Sequence, residues 1–93
     1  MVKHIVLFNV KEGEDKVKTA QIAASVLEPL VGKIDGLLHV EVRKTYAGAD
    51  FALYCELESR EAMDKYAVHP LHEEAKSHFF HLLSSRVAAD YEI

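Results

Sequence analysis

The run Val2-Lys-His-Ile-Val-Leu-Phe-Asn-Val10 constrains the fold more than any other stretch of the chain. Successive residues of a strand point to opposite faces. Val2, His4, Val6, Phe8 and Val10 therefore share one face, and Lys3, Ile5, Leu7 and Asn9 share the other. Both faces carry large apolar groups. A strand with one face in water alternates more cleanly, so this strand is expected to be central and covered on both sides. His4 is the polar exception on its apolar face. Residues 51–57 repeat the pattern, with Phe51, Leu53, Cys55 and Leu57 on one side and Ala52, Tyr54 and Glu56 on the other. They predict the second central strand.

The remaining segments fit around this pair. In residues 37–46, Leu38, Val40 and Val42 oppose His39, Glu41 and Arg43, a half-polar pattern that places the strand toward an edge. Residues 86–93 close the chain as a strand, with Val87, Ala89 and Tyr91 opposite Arg86, Asp90 and Glu92. Apolar residues recur at helical spacing over 14–31, where Pro29 should kink or end the last turn. Ser59 is placed to cap a second helix. Pro70 disfavours helical geometry at His69, so that helix stops and another starts with proline at its first position. Its buried arc is expected to run through Leu71, Ala75, Phe79, Leu82 and Leu83, with His72 facing inward between Phe79 and Leu83.

The order is βαββαβ in one domain over residues 1–93. It predicts an α+β, ferredoxin-like fold: a four-stranded antiparallel sheet with the helices on one face. No element remains to cover the back of the sheet, which should carry Ile5, Leu7, Ala52, Tyr54 and Ala88 among His39, Glu41, Arg43 and Glu56. A contiguous apolar patch of this kind marks an interface. The expectation is a homodimer through the back face, two sheets closing into an α/β barrel.

Composition removes several classes of function. The 93 residues carry a net charge of −4 with scattered lysines and arginines, so no basic stripe is offered to nucleic acid. No apolar run approaches the ~20 residues of a membrane span, and no secretory leader is evident. The single Cys55 cannot form an internal disulfide, and a cytoplasmic location is expected. Neither His69 with His72 nor His78 with His81 has a carboxylate at the spacing of a metalloenzyme motif, so neither metal nor cofactor is expected. Glycine-rich phosphate loops and nucleophile elbows are absent.

The chemistry therefore gathers in Tyr66-Ala-Val-His69-Pro70-Leu-His72. His72, held by a helix at the edge of an apolar cavity, has the character of a general base. Tyr66 could donate a hydrogen bond to a carbonyl or developing enolate oxygen. Alternatively the two bond each other or the backbone and fasten the helices, since buried polar tips normally find partners. His69 suits a cap or loop, and His4 could approach His72 across the cavity. The candidate catalytic pair is Tyr66 and His72; the candidate ligand-binding residues are His4, Val6, Leu53, His69 and Leu83.

The opening Val2-Lys-His-Ile-Val-Leu-Phe8, the Tyr66-x-x-His69-Pro70-x-His72 stretch and the closing Asp90-Tyr91 resemble the stress-responsive A/B barrel (Dabb) family of dimeric α+β barrels, across essentially the whole chain. That family includes a polyketide cyclase whose catalytic tyrosine and histidine would fall on Tyr66 and His72, with a first-strand histidine at His4. Where that enzyme has a further histidine and a tryptophan, this chain has Phe51 and Leu83. Three functions stay open: binding of a small apolar or aromatic molecule, a cofactor-free condensation with His72 as base and Tyr66 as donor, and a structural or stress-protective oligomer without a ligand.

Overall fold

The computed structural model describes every residue from Met1 to Ile93. The elements are β1 (Val2–Val10), α1 (Lys16–Leu27), β2 (Leu37–Lys44), β3 (Phe51–Leu57), α2 (Arg60–Val68), α3 (Pro70–Ser77) and β4 (Leu83–Glu92), with short 3-10 turns at Glu28–Leu30 and Phe80–Leu82. The strands form one antiparallel sheet in the order β2-β3-β1-β4. β1 and β3 are central, as their two apolar faces predict. The fold is ferredoxin-like.

One side of the sheet meets the helices. Val2, His4, Val6, Phe8 and Val10 of β1 and Phe51, Leu53, Cys55 and Leu57 of β3 are all buried there, against Ala20, Ala23 and Leu27 of α1, Ala62 and Tyr66 of α2, and Ala75 and Phe79. The alanines let the helices approach the sheet closely. Asp15 caps α1 by accepting from the Lys18 amide at 2.9 Å, and Ser59 caps α2 through the Ala62 amide at 3.1 Å. α1 gives way to a 3-10 turn at Glu28, ahead of Pro29, a shorter helix than residues 14–31. No helix is long and apolar enough to cross a membrane.

Three local readings are corrected. The register of β2 slips between Leu37 and His39, so Leu37 points into the core with Val40 and Val42 while Leu38 is exposed. The third helix ends at Ser77, and Leu83 opens β4 opposite Val10 instead of continuing a helical arc. Ala88 pairs with Val6 and so faces the helix side; Val87, Ala89 and Tyr91 pair with Leu7, Ile5 and Lys3 on the back.

The back of the sheet thus carries two apolar rows, Val87-Leu7-Ala52 and Ala89-Ile5-Tyr54, running out to Arg43 and Glu41 on β2. A third row sets Tyr91 beside Lys3, which pairs with Glu56; the Tyr54 hydroxyl donates to the same carboxylate at 2.7 Å. Leu7, Tyr91 and Val87 are 43%, 50% and 68% exposed in the single chain.

Gly36 is the one glycine whose absence of a side chain is required twice. Its φ is +82°, and a Cβ there would lie 2.6 Å from the Ala62 Cβ at the start of α2. Gly36→Ala is expected to cost about 2 kcal/mol or more, from left-handed backbone strain plus displacement of α2. Denaturant titration against wild type measures it, and an unchanged midpoint would refute the close approach.

Candidate functional site

Between the sheet and α2–α3 lies a cavity of about 100 Å³. Its walls come from β1 (His4, Val6, Phe8), α1 (Leu27), β3 (Leu53), α2 (Met63, Ala67), α3 (His72, Lys76), the following turn (Phe79, Phe80) and β4 (Arg86). Alternation on the strands and helical spacing on α3 aim these side chains at one another.

The Pro70 break positions α3. The last turn of α2 closes at His69, whose amide donates to the Tyr66 carbonyl, and the same residue caps α3 by accepting from the Leu71 amide on Nδ1 at 3.1 Å. His69 is therefore spent on capping and stands apart from the cavity wall. Leu83 is also absent from the wall. His4, Val6, Leu53 and His72 stand where the strand and helix patterns put them.

Three rings form the polar end of the site. His72 stacks on Tyr66 with centroids 4.1 Å apart and planes 28° from parallel, and His4 meets Tyr66 edge-on at 6.4 Å. His4 Nδ1 is hydrogen-bonded to Asp90 Oδ1 on the neighbouring strand. An ionised carboxylate only accepts, so His4 donates through Nδ1. The Tyr66 ring is fully buried, and its hydroxyl lies behind the cavity wall near the Cys55 thiol without a hydrogen bond of normal geometry. Burial, reinforced by Cys55, raises its pKa, so it stays a phenol, a donor and not a nucleophile.

His72 Nδ1 is buried and likewise lacks a hydrogen bond of normal geometry, although the Ala67 carbonyl lies near enough to favour a proton on the ring. Burial, helped by the Lys76 charge, outweighs that effect and the Glu73 carboxylate, and pushes His72 down to about 4. His72 is thus a neutral imidazole at neutral pH.

This has a consequence for stability. The folded value lies below the 6.5 of a free imidazole, so as pH falls the unfolded chain takes up the proton first. The stability gained by keeping His72 neutral is full above pH ~6.5 and drains between there and pH ~4. Discounted for partial solvent access, the loss expected from His72 is about 1 to 2 kcal/mol. Urea titrations of wild type and His72→Leu from pH 7.5 to 4.5 should differ by that slope; parallel curves would contradict the assignment.

Lys76 and Arg86 are the charged site residues that sequence reasoning missed. Lys76 stands one helical turn after His72, a spacing that could have flagged it. Arg86 reaches the cavity because it pairs with Phe8 in the sheet, a register invisible before the strands are assembled.

A ferredoxin-like sheet with helices on one side and a small cavity beneath the Tyr66–His72 stack defines a compact α+β class. The chain belongs to the Dabb family, the stress responsive A/B barrel domain, which it matches over residues 2–93. A dimeric protein of unknown function and ferredoxin-like fold from Bacteroides fragilis is 30% identical, with a TM-score of 0.89 over 99% of this chain and 95% of that one. A protein from Arabidopsis thaliana is 25% identical, with a TM-score of 0.85 over 100% and 95% of the two chains. A dimeric ferredoxin-like protein of unknown function from Jannaschia sp. is 20% identical, with a TM-score of 0.84 over 99% and 98%. No curated protein matches the sequence.

Proposed function

We propose that the protein is a cytoplasmic homodimer, joined through the back of its sheet, that binds a small apolar or aromatic molecule in the cavity between sheet and helices. The observation that carries this reading is the cavity itself: a mostly apolar space of about 100 Å³ with the His72 imidazole at its wall. Specific small-molecule sites have this composition, an apolar lining with few convergent polar groups. The enclosed space is smaller than the ~150 Å³ that holds a benzene, so it supports a short chain or a single ring only partly enclosed, reaching out past the half-buried Lys76 and Phe80 and the exposed Arg86. The dimer is supported by the exposed apolar rows of the back face and by the dimeric state of two of the structural relatives.

The test is a titration of the protein with benzyl alcohol followed by NMR. Signals of His4, Phe8, Leu53 and His72 are expected to move together, and Ala67→Leu, which extends an exposed helix position into the cavity, should weaken the binding about tenfold or more by loss of space. If the spectra stay still, the cavity is closed packing and the structural-oligomer reading replaces this one.

A second reading, an enzyme without a cofactor, is favoured by the neutrality of His72, an imidazole ready to take a proton at neutral pH. Its low proton affinity makes it a weak base, and Tyr66 must turn its hydroxyl past the His72 ring to donate to a substrate. Turnover abolished in both His72→Ala and Tyr66→Phe would establish it; turnover surviving in either would remove that residue from the mechanism.

A further inference from the structure

The cavity is not electrically neutral at its rim. Val6, Phe8, Leu27, Leu53 and Phe79 are almost completely buried and form its depth, whereas Lys76 and Phe80 are half-buried and Arg86 is exposed. The Lys76 ammonium stands 5.2 Å from the centroid of the Phe80 ring and the Arg86 guanidinium 5.6 Å from it. Two cations from different elements, α3 and β4, thus converge on one aromatic ring at the mouth of one cavity.

The neighbouring carboxylates do not account for both charges. Glu73 pairs with Lys76 at 2.8 Å across one turn of α3. Asp90, which shares the helix-facing side of β4 with Arg86, is engaged by His4. Arg86 pairs with no carboxylate. A guanidinium without a carboxylate partner and an ammonium, 5.6 and 5.2 Å from one ring that supplies only cation–π attraction, make this rim a preformed place for an anion.

We propose that the ligand is a small aromatic acid, its ring seated against Phe8 and Leu53 and its carboxylate held at the rim by Arg86 and Lys76. This rests on the reading of the cavity as a ligand site and narrows the class of molecule that enters it. Arg86 gives directional, two-pronged recognition of the carboxylate, and Lys76 adds charge without fixed geometry. His72 faces the same space as a neutral group, suited to a hydrogen bond with a ring substituent.

The experiment compares benzoate with benzyl alcohol, which keeps the ring and removes the charge, by calorimetry and by the cavity NMR signals. Wild type is expected to bind benzoate about tenfold more tightly or better, the scale of one charge-assisted hydrogen bond. Raised salt should weaken benzoate alone. In Arg86→Gln the preference should shrink to about twofold or less, as one charge-assisted contact is removed, with a smaller loss in Lys76→Gln. Arg86 is exposed, so both variants are expected to fold, and their spectra verify it. Equal affinities, with the cavity signals moving for both compounds, would overturn the acid while leaving the ligand site intact. No movement with either would overturn both.

Discussion

Leu7→Glu is expected to yield a folded monomer. Leu7 lies between Val87 and Ala52 in the middle of the back face and is partly exposed in the single chain, so a glutamate there remains solvated when the chain stands alone. In a face-to-face dimer the two-fold axis places two such charges in one apolar interface. Desolvating each costs several kcal/mol with no partner to offset it, which should raise the dissociation constant by about a hundredfold or more. Light scattering should then report a mass near the 10.5 kDa of one chain, with an unchanged far-ultraviolet spectrum. A variant that stays dimeric would move the interface off this face, to a sheet edge or to the helices.

The next residue along the chain points the other way, and Phe8→Ala is expected to act on folding itself. The Phe8 ring stacks on Phe51 at 4.7 Å and meets Phe79 and Phe80 edge-on at 5.9 and 6.4 Å. Removing it takes out the centre of an aromatic cluster that joins both central strands to the turn after α3. Such truncations cost about 3 to 5 kcal/mol, a large share of the roughly 5 to 14 kcal/mol available to a chain of this length. The expected fall in Tm is about 15 to 25 °C. A fall of only a few degrees would mean that the surrounding rings collapse into the space. Side by side, the two variants separate association from stability: neighbouring positions on one strand, one expected to change mass and the other melting.

The architecture was legible because period-two alternation survives wherever a strand is regular. The inward sets of β1 and β3 follow it residue for residue. It failed at Leu38, where the slipped register of β2 lets a neighbouring residue take the core position, and at Ala88, where the side depends on pairing with β1. Leu82 and Leu83 extend a helical spacing on paper, yet a 3-10 turn intervenes and Leu83 becomes a strand residue. The same limits apply to the site. His72 and His4 could be placed because each sits inside a regular element, and the proline announces the break that makes His69 a cap. Arg86 could not, since only the antiparallel ladder reveals that it stands beside Phe8.

Cys55 gives the protein an internal clock. The thiol is fully buried on the helix-facing side of central strand β3, and burial pushes its pKa up to about 12, partly offset by Tyr66. Only the thiolate reacts, so at pH 8 about one molecule in ten thousand would carry it in the closed state, behind a wall no reagent crosses. Modification of this thiol must therefore wait for the sheet and helices to part. When reclosing is fast, its rate reports the small fraction of molecules that are open at any moment, and a ligand seated beneath His72 would slow it by a factor of one plus the ratio of ligand concentration to Kd.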